Sequence, residues 1–368
     1  MKDKKIRWVL GLLILLLIAA LVTGYWTVRN RIHEKRCVSD ISKTLEDYVE
    51  EEPLTPDISG MDLEPEPMPD ASDVYLNAET ACVYRVDGKN GRGTLIYDKD
   101  ADKRMAQAST TKLMTAILLI ESGKLEDDSL ISANAASTSQ IWYELEPGDV
   151  YSNYDLMYAM MLPSANDAAV AIAEGVSGNV SDFVDMMNER ASELRLRDTH
   201  FVNPHGLDED NHYSTARDVA KLTAVAYTFP DIREAMATQY KTITGKRTGN
   251  TWDLESTTLI LGYDDNFKGG KTGTQPIAGF CYAGVYEYEG ETYITVVLNC
   301  DTEDDRWIDT KRLHQFIRDT VDESENAAED ESVEESDDSG ESDNSGESDS
   351  ANENDSGDGS DRDTRDYI

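Results

Sequence analysis

A serine and a lysine three positions apart, at the head of an apolar run, are the first residues in this chain with reactive potential. Ala108-Ser109-Thr110-Thr111-Lys112 leads into Leu-Met-Thr-Ala-Ile-Leu-Leu-Ile. On a helix, positions i and i+3 share a face, and a serine at the helix start sits at its positive end, where a developing oxyanion is favoured. A serine hydroxyl is a weak nucleophile until a base takes its proton, and a lysine forced out of water can be that base once its pKa falls. The same spacing also suits a capping serine and a lysine that snorkels to solvent. Against that, seven of the eight residues after Lys112 are apolar, a costly place for an unpaired charge.

Two further clusters follow. Ser164-Ala165-Asn166 offers a hydroxyl that can relay a proton and an amide that can grip a peptide group; in isolation it reads first as an N-cap. The same pattern recurs at Ser177-Gly178-Asn179 and Ser342-Asp343-Asn344. Lys268-Gly269-Gly270-Lys271-Thr272-Gly273-Thr274 combines a cation, hydroxyls and small glycines, which on a strand edge bind a carboxylate and let a substrate backbone lie alongside. Alone it also suits a glycine-rich surface turn. It is not a phosphate loop, because the spacing and the following helix are both missing. Histidines 33, 200, 205, 212 and 314 lack zincin spacing, so no metal or other cofactor is expected, and His205 reads as a residue that packs or hydrogen-bonds within its loop.

The elements that must position these groups lie in residues 74–320, a segment long enough for one large α/β domain. Strands are expected at 78–85 and 93–97 around the turn Asp87-Gly88-Lys89-Asn90-Gly91. The apolar stretch 111–122 predicts a helix buried on all sides. Helical spacing recurs at 153–161, 165–174, 180–194 and 218–228. Alternation at 278–288 and 291–298 around Glu289-Gly290 predicts a hairpin, and 303–319 an amphipathic helix. Strands at both ends with helices between imply one sheet built from sequence-distant segments, with a helical region inserted.

The flanks differ in kind. The chain of 368 residues carries a net charge of −39, but residues 1–37 hold +6, 38–73 hold −11 and 321–368 hold −18. This acidity excludes an electrostatic nucleic-acid binder. The uncharged run from Trp8 to Trp26, 19 residues, spans about 28 Å as a helix, close to a bilayer core. It is expected to be an uncleaved anchor, with a signal peptide cut near Val22-Thr23-Gly24 as the alternative. Residues 38–73 hold half of the ten prolines and read as an extended, self-repelling linker. Residues 321–368 have almost nothing to bury and read as a disordered acidic tail. Four cysteines, Cys37, Cys82, Cys281 and Cys300, are too few for a disulfide scaffold.

In order, SxxK, SxN 55 residues on and KTG 107 further on form the three-box pattern of penicillin-binding proteins and class A β-lactamases. With Ser164-Ala165-Asn166-Asp167-Ala168, Thr199-His200-Phe201-Val202-Asn203-Pro204-His205-Gly206-Leu207 and Ser214-Thr215-Ala216-Arg217-Asp218, segment 74–320 resembles the low-molecular-weight penicillin-binding proteins, the serine D-alanyl-D-alanine carboxypeptidases of peptidase family S11. The resemblance implies a β-lactamase/transpeptidase-like α/β fold, an antiparallel five-stranded sheet flanked by helices with an inserted all-helical region. It implies that Ser109 attacks the penultimate D-Ala carbonyl of a peptidoglycan stem peptide ending in D-Ala-D-Ala. Lys112 would be the base, Ser164 a proton relay and Asn166 a grip on the substrate amide. Lys271, Thr272, Gly273 and Thr274 would receive the terminal carboxylate, with the N–H groups of Ser109 and Thr274 as oxyanion hole. β-Lactams would acylate Ser109 as inhibitors.

Such a substrate lies outside the membrane, which places the N-terminus in the bacterial cytoplasm and the catalytic domain outside. That compartment permits disulfides. Cys281 and Cys300 are expected on one sheet face but out of register, while Cys82–Cys300 pairing is open if the first and last strands adjoin; three buried thiols are the alternative. The sequence departs from the family at Arg195, where glycine is usual, and at Trp252, where asparagine is common. A β-rich second domain and a C-terminal amphipathic anchor, carried by many relatives, are not expected here. The rival functions are a β-lactamase, for which Glu209 and Asp210 would have to activate water, and a penicillin-binding sensor that does not turn over.

Overall fold

Strands from the two ends of the domain build one sheet. A computed structural model of the chain describes residues 74–88, 91–139 and 145–337, the last fifteen by their backbone alone. The hairpin β1 (Thr80–Val86) and β2 (Gly93–Lys99) opens it. A 3-10 turn, Ala108–Thr111, runs into α1 (Lys112–Glu121), whose residues through Leu119 are all buried. A helix without a polar face must be enclosed by other elements, and α1 is.

The inserted region follows. Its elements are β3 (Asp128–Leu130), the one-turn α2 (Ala133–Ala136), β4 (Val150–Ser152), α3 (Asn153–Met161), α4 (Asn166–Ser177), α5 (Val180–Glu193), α6 (Ala216–Tyr227), α7 (Pro230–Ala237), β5 (Tyr240–Thr244) and β6 (Thr251–Glu255). It is not all-helical: β3 pairs with β4 and β5 with β6 as two-stranded ribbons. The Ser152, Asn179 and Thr215 side chains cap α3, α5 and α6, satisfying amides that a helix start leaves open.

The chain then returns to the sheet through β7 (Phe267–Gln275), β8 (Gly279–Tyr288) and β9 (Glu291–Cys300), and closes with α8 (Glu303–Asp337). Strand order is β2-β1-β9-β8-β7, with every neighbour antiparallel. One face packs on the helical insertion, the other on α8. On the α8 side the His314 ring stacks on Tyr286 at 4.3 Å, and Asp309 accepts the Ala78 N–H at 2.7 Å.

Several expectations need correcting. The last helix extends past the predicted end at Asp319 to Asp337, through a Glu- and Ala-rich stretch of good helix formers, so the first part of the acidic tail is helical. Cys281 and Cys300 do not share a face. Phe280 pairs with Cys300, and a register shift before Tyr282 places Cys281 in the core under the helices and Cys300 in the core under α8. Cys82 lies opposite Val296 and faces the helical side too. Cys82, Cys281 and Cys300 are therefore buried free thiols, and a Cys82–Cys300 bridge does not form. No helix among the described residues is long and apolar enough to cross a membrane. The apolar run 8–26, the linker 38–73, Cys37, His33 and residues 338–368 lie outside the described residues.

Arg195 ends α5 in the left-handed region, φ 58°. Leu196 N–H reaches back to Ala191 C=O at 2.9 Å and Arg195 N–H to Ser192 C=O at 3.0 Å, a Schellman closure that favours glycine at this position. Arg195→Gly is expected to raise stability by about 0.5–1 kcal/mol, the left-handed strain relieved less the extra freedom of the unfolded chain. A urea midpoint equal to or below the parent's would contradict it.

Candidate active site

The 3-10 turn carries Ser109 and delivers Lys112 to the first position of α1. Lys112 is fully buried. Its Nζ lies 2.7 Å from Asn166 Oδ1, 2.6 Å from the His205 carbonyl and 2.8 Å from Ser109 Oγ. The first two partners can only accept, so they take two amine hydrogens. A neutral amine then has its lone pair left for the third, the one partner able to give a proton. Burial drives the Lys112 pKa far below the usual lysine range; the Lys271 cation adds to this and Asp167 opposes it. Burial also lifts Asp167 to about 6.

Ser164 does not cap α4. The N-cap position is Ala165, which makes no side-chain cap bond. Ser164 instead takes a left-handed backbone, φ 64°, and its Oγ accepts from Lys271 Nζ at 3.0 Å. Strain of this kind at a non-glycine residue marks positions whose geometry the surroundings dictate. Asn166 Nδ2 donates to the Ser139 carbonyl at 3.0 Å. Of the look-alike serines, Ser177 merely closes α4 by donating to the Ala173 carbonyl, and Ser342 lies outside the described residues.

The KTG stretch is β7, the sheet edge, not a surface turn. Lys271 is buried, and its Nζ also donates to the Thr272 carbonyl at 3.0 Å. Burial, followed by the charge of Arg306, lowers it to about 7. Gly273 lets the edge approach the nucleophile, since a Cβ there would lie 2.9 Å from Ser109 N. The Thr272 hydroxyl is turned to Thr257 Oγ1 at 2.6 Å.

These groups converge on a cleft of about 540 Å³ lined by Ser109, Ser164, Asn166, Thr272, Thr274 and Arg306, among others. Two larger cavities, of about 640 and 980 Å³, contain none of them; the chemistry selects the smaller one. His205 is buried and acts through its carbonyl on Lys112, while its Nδ1 accepts the Leu207 N–H at 3.2 Å.

Arg306 was not read as a site residue from the sequence. It sits in the first turn of α8 with its side chain only 2% exposed. Its NH1 donates to Thr274 Oγ1 at 3.2 Å, its NH2 meets Glu303, and its Nε has no partner among the described residues. The available signal was helical phase: 306, 310, 313 and 317 form one stripe, so this charge lies on the face that buries Leu313 and Ile317.

A buried lysine against a serine, both facing a cationic strand edge, is an arrangement able to run acyl transfer, and the fold that carries it is the penicillin-binding/transpeptidase fold. The fold is shared with the Streptomyces K15 DD-transpeptidase, TM-score 0.61 at 28% identity over 66% of this chain and 97% of that one. It is shared too with penicillin-binding protein D2 of Listeria monocytogenes in its ampicillin-bound form, TM-score 0.56 at 32% identity over 66% and 98%.

The family model for peptidase S11, D-alanyl-D-alanine carboxypeptidase, matches residues 70–302, and the chain belongs to that family. It is 33% identical over 219 residues to the D-alanyl-D-alanine carboxypeptidase DacF of Bacillus subtilis, covering 58% of this chain and 56% of that protein. It is 33% identical over 227 residues to a D-alanyl-D-alanine carboxypeptidase of Streptomyces sp. K15, covering 57% and 77%. The chain thus spans little more than half the length of the Bacillus relative.

Proposed function

We propose that the chain is a serine D-alanyl-D-alanine carboxypeptidase that removes the terminal D-Ala from peptidoglycan stem peptides and is acylated by penicillin. The observation that carries this reading is the buried Lys112 amine 2.8 Å from Ser109 Oγ. Lys112 Nζ takes the Ser109 proton as Oγ bonds to the penultimate D-Ala carbonyl carbon. The N–H groups of Ser109 and Thr274 hold the resulting oxyanion. Ser164 passes a proton to the departing amine, and the peptide C–N bond breaks to leave an ester on Ser109. Water then adds to the ester carbonyl, the Ser109 C–O bond breaks, and Oγ regains its proton. Asn166, which lines the cleft beside Ser109, holds the substrate amide. Lys271, Thr272, Gly273 and Thr274 line the edge that receives the carboxylate, and Arg306 joins them.

Glu209 and Asp210 are exposed and outside the cleft lining, which favours a peptidase over a β-lactamase. The uncharged run 8–26 supports a single-pass anchor, with linker 38–73 leading to a catalytic domain, 74–320, outside the cell membrane. The test is release of D-Ala from diacetyl-Lys-D-Ala-D-Ala by the full chain, with covalent labelling by a fluorescent penicillin that Ser109→Ala abolishes. Labelling that persists in Ser109→Ala refutes the assignment. Labelling without D-Ala release leaves a penicillin sensor, and rapid nitrocefin turnover a β-lactamase.

A further inference from the structure

Ala108, directly before Ser109, has φ 47°, a left-handed conformation that costs an L-residue about 1–2 kcal/mol. Its carbonyl and the Ser109 N–H belong to one planar peptide and point in opposite directions. Whatever fixes that carbonyl also aims the amide. The Thr111 hydroxyl donates to the Ala108 carbonyl at 2.8 Å. Gly206 backs against the same oxygen so closely that a Cβ would lie 1.9 Å from it.

Thr111 is itself held. The His212 ring is buried, packs edge-on to Phe201 at 5.9 Å, and is kept neutral by burial, its pKa pushed down to about 4. Its Nδ1 accepts the Val202 N–H at 3.1 Å, so the ring proton is on Nε2, which donates to Thr111 Oγ1 at 2.8 Å. A directed relay of hydrogen bonds thus runs from the Val202 amide through His212 and Thr111 to the peptide ahead of the nucleophile. Neither Thr111 nor His212 lines the cleft, and the Ser109 N–H has no acceptor among the described residues.

We propose that Thr111, held by His212, is a positioning residue that sets the plane of the Ala108–Ser109 peptide and thereby aims the Ser109 N–H at the oxyanion. The inference rests on the function proposed above. Misaiming an oxyanion donor should lower the rate of the chemical step by about 10- to 100-fold while leaving ground-state binding nearly unchanged.

The experiment is the rate of acylation by a fluorescent penicillin across a concentration series, in the full chain and well below each variant's melting temperature. Thr111→Val is expected to lower the maximal acylation rate about 10- to 100-fold with the half-saturating concentration within about threefold. Thr111→Ser, which keeps the hydroxyl, is expected to recover most of that loss. His212→Leu should act in the same direction, and its loss should not add to that of Thr111→Val. If Thr111→Val does not fold, Thr111→Ala takes its place. A parental maximal rate in Thr111→Val, a Thr111→Ser no better than Thr111→Val, or a loss confined to half-saturation overturns the inference while the proposed function stands. A parent chain that takes no label on Ser109 overturns the function itself, and this inference with it.

Discussion

Lys112→Ala is expected to slow acylation of Ser109 by about 10²- to 10⁴-fold, the range a positioned general base contributes. Lys112→Arg should be nearly as slow. Arginine has a similar reach, but its guanidinium stays protonated at any working pH, so it has no lone pair for the serine proton. The pH dependence carries the same signature. Because burial and Lys271 depress the Lys112 pKa, they favour the free amine, and acylation is expected to fall as acid protonates it. Lys271→Gln removes the like charge, so the Lys112 pKa rises and the acid limb of acylation moves to higher pH. The check is the penicillin-labelling rate of each variant from acid to neutral pH. Parental labelling by Lys112→Arg would show that a fixed cation, not a base, is what position 112 supplies.

Arg306→Leu is expected to lower kcat/KM for a peptide with a free terminal carboxylate by about 10- to 100-fold, equivalent to one charge-assisted hydrogen bond lost from a dry site. For the matching peptide amide, which has no carboxylate, the effect should be within about threefold. Leucine fills much of the volume, and the partner Glu303 is half exposed, so no buried charge is stranded by the change. Arg306→Lys should recover little, since a point charge cannot replace a two-pronged donor. Equal losses on both substrates would mean that Arg306 only supports Thr274 and the strand edge.

Much of this candidate site's grouping is legible in the sequence because it is local. The Ser109–Lys112 spacing, the apolar run behind it and the KTG strand need only a few neighbouring residues to be recognised, and the hairpin turn at Glu289-Gly290 fixed the β8–β9 pair. What escaped is what only tertiary structure brings together. Arg306 reaches Thr274 from another element and, read in sequence, is one charge among many on an acidic helix. The faces of Cys281 and Cys300 were misjudged because strict alternation cannot anticipate the register shift after Phe280. The two ribbons in the insertion have strands of three to five residues, too short for alternation to be decisive. Ser164 was ambiguous for a different reason: the same hydroxyl can cap a helix or face a lysine, and local sequence does not choose between them.

The pairing of β1 with β9 has a kinetic consequence. It sets Thr80 opposite Leu298, and beside it the bond from Ala78 to Asp309 of α8 joins residues 231 apart; such distant closure is the slow kind, because loop entropy is lost before any contact rewards it. A chain still emerging during its synthesis has Ser109 and Lys112 long before it has the strand edge and arginine they face. On the function proposed above, the site is therefore completed as the final event of folding, and a truncated or stalled product would hold Ser109 and Lys112 without the edge that receives a carboxylate.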